Sequence, residues 1–378
     1  MYIVIPKENP KIENRAPLLP QSVARLVKDG ASVIVEKDLG QTLNIPDEEY
    51  AKAGAKIEAD RKKLLKMGDI VVRIRKPEER EIPLLKRGSI HISHLEPFFE
   101  PKLLNVLAKN NISAVAMELI PRTTRAQKMD VLSSQSSLAG YAAVIVAADN
   151  IQKIFPMMMT PAGTIQPAKV FVIGAGVAGL QAIATARRLG ARVDAFDTRQ
   201  AAKTDVLSLG AKFVEIDLGE TSQTEQGYAK PLTEEQLAKQ RSEIKKYCAQ
   251  ADVVITTAQV FGKIAPIIVA KDMVEAMKPG SIIVDLAVET GGNVEGVVPG
   301  KIKNHNGVTI VGLRNMPGRV AYDASQMYSN NILNFIDEFW DTEKKEFILD
   351  RKDDILASCL VTHGGEIIHP LFAQKKGE

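Results

Sequence analysis

Residues 169–199 read KVFVIGAGVAGLQAIATARRLGARVDAFDTR, and this stretch decides the fold. Val170, Phe171, Val172 and Ile173 make a short uncharged apolar run, the pattern of a strand buried on both faces. Gly174, Gly176 and Gly179 follow as G-x-G-x-x-G, and Val177 to Leu189 carries helical spacing into a stop at Gly190. A second apolar strand, Arg192 to Phe196, ends at Asp197.

Each part meets a demand of a bound dinucleotide. Gly174 permits the tight turn, Gly176 lets the backbone approach a pyrophosphate, and Gly179 lets helix and strand pack closely. The helix starting at Val177 then offers free N–H groups and a partial positive charge to the phosphates. Asp197 stands where a carboxylate accepts bonds from adenosine ribose hydroxyls, with Thr198 and Arg199 beside it. A carboxylate there disfavours a 2′-phosphate, so NAD(H) is the expected nucleotide, although Arg199 partly compensates.

Working outward, 378 residues exceed what one core usually serves, which predicts two domains. Hydrophobic content of 45% and charged content of 25% fit a water-soluble α/β protein. The 49 basic and 46 acidic residues nearly cancel, which gives no electrostatic case for nucleic acid or an anionic membrane. No uncharged run looks long and apolar enough to span a bilayer, and MYIVIPKENP reads as a strand rather than a signal peptide. Cys248 and Cys359 stand alone, as suits a reducing cytoplasm, and the histidines show no metal-ligand spacing. His91 and His94, three apart in a strand-like run, are expected to face opposite sides.

Before the fingerprint, strand-like runs at Tyr2–Ile5, Ser32–Val35, Ile70–Ile74, Ile90–Ser93 and Ala114–Met117 alternate with helical patterns at Gln21–Lys28, Asp47–Ala53, Lys62–Met67 and Pro101–Lys109. That alternation predicts a first parallel sheet covered on both faces. Pro121 to Asp130 is polar and reads as a loop, and Val131 to Ala148 as a long helix between domains. Further strands are expected at Val253–Thr256, Ile282–Asp285 and Val308–Val311. A second crossing helix is expected at Ala321–Trp340, with Met327, Ile332, Leu333, Ile336 and Phe339 on its inner side. The apolar tail 347–370 needs a core and is expected to return to the first domain. The fold class is therefore α/β, two Rossmann-like doubly wound parallel-sheet domains joined by long helices. The first domain comprises residues 1–131 continued by 325–378, and the nucleotide domain residues 132–324. Asp217 to Pro231 is long and polar and reads as a flexible loop; closed as a lid, it would place Tyr228 over the cofactor.

Several segments also carry a resemblance: RAQKMDVLSSQSSLAGYAAVI, FPMMMTPAGT, GAGVAGLQAIATARRLGA, QGYAKP, ITTAQVFGKIAP and MKPGSIIVDLAVETGGN. They resemble the NAD(H)-binding domain I of proton-translocating nicotinamide nucleotide transhydrogenase, a family sharing its fold with alanine dehydrogenase. The resemblance runs from Ile5 to Pro370. It implies that Arg122, Gln127 and Asp130 lie over the nicotinamide and that Ser133 contacts the carboxamide. It also implies hydride transfer from NADH to NADP⁺ held on a partner NADP-binding domain, coupled to proton passage through a transmembrane subunit. Those parts are absent from this chain, which is therefore expected to dock as a homodimer on the cytoplasmic face of the membrane.

A stand-alone amino-acid dehydrogenase and a non-catalytic NAD sensor are the alternatives. The chain resembles alanine dehydrogenases around Glu13, Arg15, Pro20 and His94. Where those enzymes place a lysine and an aspartate it carries Arg75, with Lys76 displaced by one, and Glu289. Neither exchange preserves geometry, and a single histidine in a strand reads as a structural residue. Amino-acid oxidation is therefore not expected.

Overall fold

The structure, a computed structural model, describes residues 1–216 and 233–373. Two compact units arise, Met1–Gln135 with Val320–Glu378, and Ser136–Arg319. Against the expected breaks at 131/132 and 324/325, the first falls inside the helix Val131–Asn150 and the second just ahead of the helix Ala321–Phe339.

In the second unit, strands run in the order Lys212–Phe213, Arg192–Phe196, Lys169–Ile173, Val253–Thr256, Ile282–Asp285, Val308–Gly312 and Lys301–His305. All pairings are parallel except the last, in which Lys301–His305 runs antiparallel. Chain direction reverses beside Lys169–Ile173, the switch point where doubly wound sheets open a crevice. Alternation along that strand divides the core, because successive side chains leave opposite faces. Val170 and Val172 pack with Ala182, Ile183 and Ala186 of the fingerprint helix. Phe171 and Ile173 pack with Ile244, Cys248 and Met273 on the other face.

In the first unit, the strands Lys56–Glu58, Ser32–Glu36, Tyr2–Ile5, Ile70–Val72, Ile90–Ser93 and Ser113–Ala116 pair in parallel in that order. The tail then adds Leu360–His363 antiparallel to Ser113–Ala116, and Glu366–Ile367 antiparallel beyond it. Leu360 and Val361 are thereby buried, as an apolar tail requires.

Several expectations need correction. The strand at Ile70 stops at Val72, and the strand at Ile90 stops at Ser93, so the alternation argument does not reach His94. Helix Ala321–Phe339 turns Tyr328, Ile332, Phe335, Ile336 and Phe339 inward with Ser325, Ser329 and Asn331, whereas Met327 is exposed. Polar side chains reach that face because they have partners: Ser325 and Ser329 accept the Ala16 and Leu19 amides, both at 2.9 Å. The segment 121–130 contains a short 3₁₀ turn, Gln127–Met129, beside buried Ala126. Among the described residues one helix, Val131–Asn150, is long and apolar enough to cross a membrane. Its Ala142, Ala143, Val144 and Ala147 belong instead to the core of the second unit. The expected lid and Tyr228 lie outside the described residues.

Candidate functional site

The glycines of the fingerprint have three different surroundings. Gly174 has φ +98°, and a Cβ there would lie 2.5 Å from Thr257 Oγ1. At Gly179 a Cβ would lie 1.9 Å from the Gly174 carbonyl oxygen, so helix and strand touch through backbone. At Gly176 a Cβ would meet nothing within 4 Å. Gly176 is also the N-cap of helix Val177–Arg188 and gives it no side-chain acceptor. An uncapped helix start facing open space fits a pyrophosphate, which would take up those N–H groups.

Asp197, 8% exposed, accepts the Ala175 amide at 2.7 Å through Oδ2 and the Arg199 amide at 2.8 Å through Oδ1. The Arg199 guanidinium forks onto the same carboxylate, Nε to Oδ1 at 2.9 Å and Nη2 to Oδ2 at 2.9 Å. Thr198 lies between them, half-buried. Asp197 therefore fixes the glycine turn as well as presenting a carboxylate at the strand end.

Sequence reasoning missed the residues that shape the rest of this edge. Thr257 donates to the Gly174 carbonyl at 3.1 Å, tying the neighbouring strand end to the fingerprint turn. Buried Asn293 holds three loop positions: its Oδ1 accepts the Ala258 amide at 3.0 Å, and its Nδ2 donates to the Ala258 and Pro266 carbonyls at 2.8 and 2.9 Å. Asp285 accepts the Ala287, Asn293 and Val294 amides at 2.9, 2.7 and 3.1 Å. Its burial nonetheless raises its pKa above the usual carboxylate range. The detectable signal was Asp285 at the C-terminal end of a buried strand, followed by Gly291 and Gly292, both with positive φ.

The residues attributed to the nicotinamide lie in the first unit. Arg122 and Gln127 are exposed, and the Gln127 side chain makes no hydrogen bond to another described residue. Asp130 is part-buried and works as a helix cap: Oδ1 accepts the Ser133 amide at 2.9 Å and Oδ2 the Ser133 hydroxyl at 2.5 Å. Asp130 and Ser133 are therefore joined to each other, and the Ser133 oxygen keeps lone pairs with which to accept.

A buried ionic cluster occupies the region around Arg15. Its Nε and Nη2 fork onto Glu13 at 2.8 and 2.7 Å, and Nη1 donates to Gln135 at 2.6 Å. Arg75 Nε donates to the same Glu13 at 2.9 Å. Burial alone would raise the Glu13 pKa, but the bonds and charges of Arg15 and Arg75 hold it down at about 2. Lys76 is held between Glu96 and Glu100, and Glu289 accepts the Asn315 amide at 2.6 Å. His94 is pushed down to about 3 by burial and by Arg15 and Arg75, so it is neutral at pH 7. Glu118, 3.7 Å from His94 Nδ1, is pushed up to about 7 by burial. No group of three or more His, Cys, Asp or Glu among the described residues is placed to hold a metal.

Comparisons with known proteins agree with this geometry. The family description "Alanine dehydrogenase/PNT, N-terminal domain" matches residues 4–139, and "Alanine dehydrogenase/PNT, C-terminal domain" matches residues 143–370. The first portion of the NAD(P) transhydrogenase subunit alpha of Rhodospirillum rubrum, a separate chain there, is 46% identical over 377 residues, covering 98% of each chain. A transhydrogenase crystal structure from Sinorhizobium meliloti superposes with a TM-score of 0.85 at 41% identity, covering 98% of this chain and 100% of that one. An L-alanine dehydrogenase structure follows with a TM-score of 0.81 at 26% identity, covering 98% of each.

Proposed function

Because the chain belongs to the alanine dehydrogenase/PNT family, we propose that it is the NAD(H)-binding subunit of a proton-translocating NAD(P) transhydrogenase. It passes a hydride from NADH to NADP⁺ held on a partner NADP-binding domain, and a transmembrane subunit couples the transfer to proton movement. Bound reduced nicotinamide supplies the hydride; the chain's own residues bind, orient and exclude water.

The observation that carries this reading is the 121–130 segment, whose Ala126 and Met129 are buried while Gln127 stays exposed with its amide unspent. A neutral amide donates and accepts equally, so it orients a carboxamide without favouring either charge state of the ring. Arg122 contributes a fixed charge, and Asp130 with Ser133 fixes the start of the following helix. Gly174, Gly176, Val177 and Gly179 take the pyrophosphate; Asp197 with Thr198 and Arg199 takes the adenosine ribose. Tyr228 closes over the cofactor in this scheme.

The amino-acid dehydrogenase alternative is disfavoured by the Glu13–Arg15 fork, which spends the guanidinium that a substrate carboxylate would need. Attachment is peripheral, on the inner face of the cell membrane through the partner subunits. A second copy of the chain is the proposed cover for the hairpin Met158–Thr160 and Gly163–Ile165, whose Met158, Met159 and Ile165 are exposed together with Met157.

Gln127→Asn withdraws the amide by one methylene and is expected to slow transfer by roughly ten- to a thousandfold while NADH affinity holds. Single-turnover transfer beside equilibrium NADH binding tests this. A wild-type transfer rate removes Gln127 from the chemistry.

A further inference from the structure

We propose that Arg125 is a positioning residue for hydride transfer, clamping the 121–130 segment so that Gln127 faces outward; this rests on the role given to Gln127 above. All three guanidinium nitrogens of Arg125 are committed, Nε to Glu338 at 2.8 Å, Nη1 to Asp354 at 2.8 Å and Nη2 to Asp353 at 2.6 Å. Those carboxylates come from two places, the helix Ala321–Phe339 and the start of the helix Asp354–Cys359. The guanidinium carbon also lies 5.9 Å from the centre of the Phe339 ring.

The neighbouring residues complete the attachment. Lys128 Nζ reaches Glu338 at 2.9 Å, and its carbonyl accepts the Asn331 and Asn334 amides at 2.9 and 3.3 Å. Ala126 and Met129 are fully buried. Residues 125, 126, 128 and 129 are thus all held by the first unit, and Gln127 alone of the five is left to act outward. Half-exposed ion pairs add little stability, whereas a rigid guanidinium fork specifies direction as an ammonium cannot. Three carboxylates on one arginine therefore fix where the loop points more than how firmly the domain folds.

Arg125→Gln and Arg125→Lys, beside Gln127→Asn, test the proposal in the complete complex with NADH and NADP⁺. Arg125→Gln is expected to slow single-turnover transfer at saturating nucleotide by roughly 10- to 100-fold, the scale of misplacement at a reacting centre. Its NADH affinity stays at the wild-type value, and Arg125→Lys falls between the two. Hydrogen exchange at the amides of residues 126–130, measured without nucleotide, accelerates in Arg125→Gln.

Wild-type transfer by Arg125→Gln beside a slow Gln127→Asn overturns the clamp and leaves the role of Gln127 standing. A loss of NADH affinity that accounts for the whole defect also overturns it. A wild-type rate in Gln127→Asn overturns both. If Arg125→Gln does not fold, the double variant Asp353→Asn, Asp354→Asn carries the same expectations, since asparagine still caps the helix that Asp353 now caps through the Ile355 amide at 2.9 Å. Wild-type transfer in that variant overturns the clamp.

Discussion

Arg199 lies across both oxygens of Asp197, Nε 2.9 Å from Oδ1 and Nη2 2.9 Å from Oδ2, while the Ala175 amide holds Oδ2 from the other side at 2.7 Å. One carboxylate thus joins the glycine turn to the end of the second strand.

Asp197→Asn is therefore expected to weaken NADH binding by about tenfold, the scale of one hydrogen bond to a charged group. The wild type should bind NADP(H) less tightly than NAD(H), because a 2′-phosphate meets the carboxylate. Titration calorimetry with both nucleotides decides the matter; equal or tighter NADP(H) binding contradicts the assignment.

Gly176 and Gly179 make a pair with opposite expectations. Gly179→Ala drives a methyl to 1.9 Å from the Gly174 carbonyl oxygen, and overpacking of that kind costs about 1–3 kcal/mol, so the melting temperature falls. Gly176→Ala meets no atom within 4 Å, so the melting temperature holds while NADH affinity drops. Loss of stability in Gly176→Ala with intact binding would refute the pyrophosphate assignment.

Wild-type protein is expected to show no alanine oxidation and no pyruvate amination, because Arg15 is already forked onto Glu13 and Lys76 is held by Glu96 and Glu100. Turnover in the ordinary enzyme range of ~1 to 1,000 per second with alanine and NAD⁺ would favour the dehydrogenase alternative.

His94 gives a pH dependence of defined sign. Its folded pKa of about 3 lies below the ordinary histidine value of 6.5, so the unfolded chain binds the extra proton, and the stabilisation present above pH 6.5 is lost as pH falls toward 3. Glu118 acts oppositely: its pKa of about 7 makes its contribution fullest below pH 4.5 and loses it as pH rises through 7. Comparing wild type with His94→Asn isolates the histidine. The variant should lower the slope of stability against pH between 3 and 6.5 by up to about 1.4 kcal/mol per pH unit. Parallel slopes in denaturant titrations would show that His94 is not neutral in the fold.

The parallel sheets were legible because their strands are short apolar runs fixed by burial on both faces, as at Ile282–Asp285, whose bounds were anticipated to the residue. Helix Glu234–Gln250 was not, since only Gln240, Ile244 and Cys248 are buried and no apolar stripe marks it; the readable sign was the capping box Thr233–Gln236. The edge strands Lys301–His305 and Glu366–Ile367 escaped for a similar reason, being exposed and polar. At the site, the glycines announced themselves through backbone demands. Asn293 did not, because its three bonds join positions that only the folded loops bring together. The carboxylates that hold Arg125 lie far along the chain, and no local pattern links them to it.

The central claim is direct hydride transfer, and an isotope tests it most directly. This protein is loaded with NADH deuterated at the transferring position of the nicotinamide and mixed with the partner subunit carrying NADP⁺, and one turnover is followed by mass spectrometry. The account predicts the deuterium in NADPH and none in water. Deuterium released to water, or no transfer with both nucleotides bound, would contradict it.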